Sequence, residues 1–357
     1  MNAHHRLGAS SAHRWMLCPG SVAASAAVGP SEDTEFSREG TRAHETASYL
    51  FSGNGKFFEW ETDDINAIYA YTSYCFNLPG QKHVETRLSF DPYILGGFGT
   101  VDYVAFHDST LTVVDLKFGK GVPVYAENNP QLMLYALGAL LEYGFLYDIE
   151  RVRMVIHQPR RDHVDEWELP VADLMAWANS TLKIAVLDAM AENARRVPGE
   201  KQCQWCPAKA TCPELAQQII DVVTEGFDSD EVHTLAALLN YVDMARSWAS
   251  AIEARAMDEL LSGSTVDGWK LVDGRSTRAW KDEVEIAGVL VEKLGDDAYN
   301  KKLLSPAQAE KVIGRKSSDW DIIESNHITW SIPKPTLARE SSRKQAITPN
   351  PLEGFDS

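Results

Sequence analysis

Between residues 83 and 118 apolar and polar positions alternate with a period of two, the signature of β-strands. Residues 83–90 set Val84, Leu88 and Phe90 on one face and Glu85 and Arg87 on the other. A segment rich in turn formers follows, then a second strand at 100–106, a tight turn at 107–110 and a third strand at 111–118. In the third strand Val113, Val114 and Leu116 are apolar on both faces, the pattern of a strand covered on both sides. A fourth strand is predicted over 151–158, where Val152, Met154 and Ile156 alternate with Arg151 and Arg153.

Elsewhere the pattern is helical. Residues 34–52 predict a helix carrying His44. A second begins at Asn129 as cap with Pro130 in its first turn, and a third covers about 170–196. Helix, three strands, helix, strand is the order of an α/β sandwich with a mixed central sheet. That domain is expected to span 1–225. Residues 226–357 are expected to form a mainly helical extension, with a hairpin over 268–280 and a tail to Ser357. Within it, residues 221–263 hold nine acidic and two basic residues. Either this stretch is a partner-binding or assembly element, or its stripe of Leu235, Leu238, Leu239, Val242 and Ala245 packs as a buttress on the first domain.

The length of 357 residues fits one large domain with an appendage, or two domains. No apolar run is long enough to span a bilayer, and the first twenty residues lack the apolar core of a secretory signal, so a cytoplasmic protein is expected. The net charge of −17 repels polyanions over most of the surface. Contact with nucleic acid would have to be local, and Lys120, Arg151, Arg153, Arg160 and Arg161 are the expected cations. An acidic site filled with divalent cations escapes the same objection.

Asp102 lies in the second strand, and Asp115 and Lys117 lie two apart in the third, so the last two share a face. A bare Asp-x-Lys is most often a same-face ion pair. In a strand buried on both sides, however, a carboxylate is costly unless it has work to do. Carboxylates that hold Mg²⁺ or Mn²⁺, with a lysine beside the bound water, are what phosphodiester hydrolysis requires. His44 is a candidate further ligand through its imidazole, or a structural histidine. Gln131 and Tyr135, four apart, share a helical face, and Gln131 stands near a helix start whose amides favour phosphate. The plainer reading of that pair is a helix face packed on the sheet.

The series His44, Asp102, Asp115-x-Lys117 and Gln131-x-x-x-Tyr135, in this order on these elements, resembles the RecB-type branch of the PD-(D/E)XK nucleases. The resemblance implies a restriction-endonuclease-like core. It implies that His44, Asp102, Asp115 and the Leu116 carbonyl bind metal, that Lys117 supports the nucleophile, and that Gln131 and Tyr135 help place DNA. Many relatives carry glutamate where Asp115 stands.

Of five cysteines, Cys203, Cys206 and Cys212 fall within ten residues, which points to a metal rather than disulfides. Cys18 is taken as the fourth ligand and Cys75 as a core residue. One distant cysteine before the core and three after it are similar to the iron–sulfur branch of the RecB-type nucleases. That similarity implies a structural [4Fe–4S] cluster, with Zn²⁺ in a four-cysteine site as the alternative. Further segments, among them 10–21, 115–121, 128–140, 268–280 and 303–314, are similar to a family of phage and prophage proteins. The expectation is a Mg²⁺- or Mn²⁺-dependent DNA exonuclease that resects ends, 5′→3′, in phage recombination or replication. A single-strand-binding or annealing protein, or a second copy of the chain, is the expected partner. The alternatives are a catalytically silent DNA- or protein-binding module and a structure-specific endonuclease.

Overall fold

A computed structural model describes residues 5–29, 34–53, 55–225, 235–299, 303–315, 317–330, 335–339 and 345–347. The chain divides into two compact units, Met1–Ala249 and Ser250–Ser357, and the division falls inside one long helix.

The first unit is a mixed five-stranded sheet in the order β1-β2-β3-β4-β5: Gln81–Ser89, Phe98–His107, Thr110–Leu116, Arg151–Gln158 and His163–Pro170. Only β3 and β4 pair in parallel. The helix that joins them, as a parallel crossover requires, is α5 (Pro130–Tyr143), where α1 to α4 are Ala12–Trp15, Ser21–Val28, Glu35–Ser52 and Thr62–Asn77. Thr34 caps α3 by accepting from the Ser37 amide at 3.1 Å, and Asn129 caps α5.

Each face of the sheet carries its own apolar layer. On one side Leu88, Val104, Val113, Met154 and Ile156 meet α5 through Leu132, Met133 and Ala136. On the other, Tyr103, Val114, Leu116 and Val155 meet α3 and α4 through Ala43, Ala47, Ile68 and Tyr71. Every residue of β3 from Leu111 to Leu116 is buried. The helix predicted over 170–196 runs as α6 (Val171–Trp177), a π-turn at Ala178–Leu182, and α7 (Lys183–Met190).

Gly138 sets how closely α5 lies on the sheet. A Cβ there would stand 2.9 Å from the Leu88 Cβ and 3.1 Å from the Ser89 carbonyl oxygen. Gly138→Leu should therefore lower stability by about 2–3 kcal/mol, read as a fall in Tm. An unchanged Tm would mean that the helix shifts freely.

Three expectations are corrected. Val84 packs with the α3/α4 layer while Leu88 and Phe90 pack with the α5 layer, so the alternation of β1 breaks between them. The break is at Glu85, whose φ of 46° is left-handed. Strand β5 was unforeseen, because Asp165, Glu166 and Glu168 make an edge strand look like a polar loop. The hairpin over 268–280 does not form. In the second unit β6 (Trp269–Val272) pairs with β9 (Thr336–Arg339), and β7 (Arg278–Trp280) pairs with β8 (Ile328–Trp330). Both runs are strands, but each finds its partner far along the chain.

After the cysteine segment, which contains α8 (Glu200–Gln204), come α9 (Pro213–Glu225) and α10 (Leu235–Leu261). Leu215 and Ile219 of α9 pack with Met244, Tyr241, Ala245 and Trp248 of α10, within the first unit. Of the expected stripe, Ala245 joins this contact and Val242 is exposed, while the side chains of Leu235, Leu238 and Leu239 lie outside the described residues. The second unit packs Trp280, Ile286, Leu290, Trp320 and Ile323 around α11 (Glu283–Leu294), α12 (Pro306–Ile313) and α13 (Ser318–His327). Among the described residues no helix is long and apolar enough to cross a membrane.

Candidate active site

The pairing of β2 with β3 reaches Tyr103 opposite Val114 and stops. Beyond it the Asp102 side chain takes over: its Oδ2 accepts the Leu116 amide at 2.7 Å, and its Oδ1 lies 3.1 Å from His44 Nδ1 on α3. Asp102 is 8% exposed and Asp115 2%. Neither carboxylate is open to bulk water, and both face partners.

On β3, the Asp115 Oδ2 lies 2.8 Å from the Lys117 ammonium. Gln131, at the start of α5, joins the pair. Its Oε1 accepts from Lys117 Nζ at 3.0 Å, while its Nε2 donates to Asp115 Oδ1 at 2.9 Å and to the Tyr135 hydroxyl at 3.3 Å. A lysine can only donate and a carboxylate can only accept, so the amide has one orientation. Helical spacing brings Tyr135 under Gln131, as expected from positions four apart. The amides of Gln131 and Leu132, however, are bound by the Asn129 side chain, so it is the glutamine side chain that faces the site. Leu116 contributes its backbone, since its side chain packs in the α3/α4 layer.

The charges are strongly coupled. Burial opposes charge on His44, but the Asp102 carboxylate more than offsets it and raises the imidazole to about 9. Burial also opposes charge on Asp102, yet His44 and the Leu116 amide hold its carboxyl below the usual range. Lys117 stays protonated, since Asp115 outweighs the cost of its burial.

One residue of this site was missed. Sequence alternation puts Glu85 on the outer face of β1 beside Arg87. The left-handed backbone at Glu85 instead turns its carboxylate inward, so that His44, Glu85 and Asp102 each offer a ligand atom within 4.8 Å of the others. Among the described residues this is the one group of three or more metal-type side chains so close together. Burial and the charge of Asp102 raise the Glu85 carboxyl to about 8, against the pull of His44. Glu85 stands opposite Asp102 in the β1–β2 register, between the pairs Val84–Tyr103 and Thr86–Val101. Only knowledge of that register would have pointed to it.

The expected surface cations are engaged elsewhere. Arg151 pairs with Glu168, Arg153 with Glu166 at 2.6 Å, and Arg160 with Glu39 at 2.7 Å and Asp64 at 3.0 Å. Lys120 is 3.6 Å from Asp64, and Arg161 donates to the Lys120 carbonyl at 2.9 Å. Four of the five cations thus meet carboxylates that β5 and the helices supply and that a strand pattern does not reveal.

Cys18 is buried at the end of the α1 turn, and its sulfur accepts the Val197 amide at 3.2 Å. The Cys203 sulfur accepts the Gly199 amide at 3.4 Å. Burial raises the Cys203 thiol against the Gly199 hydrogen bond, and the charges of Cys206, Cys18 and Cys212 add to the rise. Cys75 lies apart in α4, fully buried.

Fold and site together define a mixed α/β protein with a buried carboxylate–histidine–lysine centre at the end of two central strands. The chain belongs to the family described as Protein of unknown function (DUF2800), whose model matches residues 4–62 and 67–345. Two solved structures are similar at the level of weak overlap. SSO0001 is 17% identical over 56% of this chain and 84% of its own, with a TM-score of 0.27. An alkaline exonuclease from Laribacter hongkongensis (LHK-Exo) is 12% identical over 50% of this chain and 92% of its own, with a TM-score of 0.22.

Proposed function

We propose that this protein is a Mg²⁺- or Mn²⁺-dependent deoxyribonuclease of the PD-(D/E)XK type, and that it removes nucleotides from DNA ends during phage recombination or replication. The observation that carries this reading is the convergence of Asp102, Asp115, Lys117, Gln131 and His44 from α3, two central strands and α5, linked by contacts of 2.7–3.1 Å.

The donor set suits a hard divalent cation, since His44, Glu85 and Asp102 offer one nitrogen and two carboxylates at ligand spacing. Asp115 would complete the set from the next strand. A cation held there supplies charge for the phosphate and lowers the pKa of a bound water. Lys117, kept protonated, faces the same space and can offset charge that develops on the phosphate oxygens. Gln131 fixes the lysine relative to Asp115, so the ammonium is oriented before substrate arrives.

Metal must compete with protons on His44, at about 9, and on Glu85, at about 8. Affinity for Mn²⁺ should therefore rise as pH rises. We expect about 10-fold or more between roughly pH 7 and pH 9, with proton release on binding, by anaerobic titration calorimetry. A flat affinity would remove both groups from the metal site.

The nuclease reading is tested with linear duplex, closed circular and single-stranded DNA in Mn²⁺. Loss of linear DNA with circles intact fits an exonuclease, and nicked circles would favour the endonuclease alternative. No cleavage of any substrate by metal-loaded protein would favour a silent binding module.

A further inference from the structure

Beside α1 and α2 the surface opens into a cavity of about 410 Å³ lined by Arg6, Arg14, Trp15, Ser21 and Ser25, among others. Among the described residues no carboxylate lines it. The chain has a net charge of −17, yet the described lining of this hollow holds two guanidinium groups and no acid. Among the described residues, neither arginine has a carboxylate partner, in contrast to Arg151, Arg153 and Arg160.

The polar atoms there are unsatisfied. Ser21 is 2% exposed, and its hydroxyl has no hydrogen-bond partner among the described residues. The Ser25 hydroxyl and the Arg14 Nε are buried and unpartnered in the same way. Buried donors without partners are costly, and native proteins keep few of them. The groups share one chemistry: guanidinium only donates, and a hydroxyl can donate. The first amides of α2 add nothing, since Ser21 N–H is bound to the Cys18 carbonyl and Val22 N–H to that of Pro19. Recognition would rest on the side chains, and it would select an anion with several acceptor oxygens.

The cavity borders a helix that touches the one carrying part of the site. α1 packs against α5, which carries Gln131 and Tyr135. His13, next to Arg14, is pushed down by burial, by Arg14 and by the charge of Lys117. Arg14 is also held from the other side, because its Nη1 donates to the Trp205 carbonyl at 3.1 Å, within the Cys203–Cys206 turn. The cysteine segment thus fixes the guanidinium that faces the cavity.

We propose that the Arg6–Arg14–Ser21–Ser25 cavity is a phosphate-binding site that holds a second phosphate of the nucleic-acid strand whose cleavage is assigned to the Asp102–Asp115–Lys117 centre. The inference rests on the nuclease reading for its ligand, but its test does not need catalysis. Binding of a fluorescent single-stranded oligonucleotide is measured in EDTA, where no cleavage occurs, for wild type, Arg6→Gln and Ser21→Ala. Arg6 is exposed and Ser21→Ala removes one hydroxyl, so both should keep the wild-type Tm.

Each substitution should weaken binding by about 10-fold, and Arg6→Gln should lower the salt dependence by about 0.7 in the log–log slope. If the loss vanishes for oligonucleotides without terminal phosphates, the site takes an end phosphate. If it persists, the site takes a backbone phosphodiester, and either outcome supports the proposal. Wild-type affinity and slope in both variants would overturn it, as would effects on inorganic phosphate binding alone. A protein that binds DNA through this cavity but never cleaves it would sink the nuclease reading and leave the site standing.

Discussion

Replacing Asp115 with asparagine or Lys117 with methionine should abolish DNA cleavage while leaving a folded protein. The two substitutions act differently. Asp115→Asn removes the charge proposed to hold metal from a residue that is 2% exposed and leaves the Lys117 ammonium without its counter-ion. Lys117→Met keeps the volume of the side chain and removes the cation that faces the phosphate. Either should cost about 4 kcal/mol of barrier or more, on the order of 10³-fold in single-turnover rate. Metal affinity separates them: Asp115→Asn should bind Mn²⁺ more weakly, and Lys117→Met should bind it at least as well. Near-wild-type cleavage by either purified variant would remove these residues from the active site.

The second large effect concerns the cysteines. Protein purified without oxygen is expected to be brown, with about four iron and four sulfide per chain. Four thiolates around one zinc stand about 3.8 Å apart, from Zn–S bonds of about 2.3 Å. A [4Fe–4S] cluster holds the same four ligands farther apart, and iron and sulfide content tells the two apart. Cys18→Ser should bleach the protein and lower its stability by roughly 3 kcal/mol or more, because a cluster bound there would tie Cys18 to Cys203 across the chain. Cys75→Ser, in α4, should leave the colour unchanged. Stoichiometric zinc without iron in the same preparation would reverse the assignment.

Much of the centre was legible because its residues sit where simple periodicity holds. Asp115 and Lys117 share a face by the period of two, and Gln131 and Tyr135 share one by the helical spacing of four. Asn129-Pro130 marks the start of the helix that delivers the second pair. Glu85 was not legible, because a left-handed φ reverses the face on which the pattern places it. The partners of the basic row were not legible for a different reason. Arg151 and Arg153 alternate as surface cations do, but their partners Glu168 and Glu166 come from a strand that pairs only in the fold, and the Arg160 partners Glu39 and Asp64 come from two helices. The segment 268–280 shows the same limit: its two strand runs are readable, and their distant partners are not. Local pattern determines the element, whereas partners far along the chain determine what a charge or an edge is for.

The most direct measurement is release of acid-soluble nucleotides from end-labelled linear DNA by the wild-type protein, with Mn²⁺ and with EDTA, alongside Lys117→Met. Release that requires Mn²⁺ and disappears in the variant, while both proteins bind the DNA, is the expected result. Release that persists in EDTA, or that is equal in the two proteins, would contradict a metal-dependent site built on Asp102, Asp115 and Lys117.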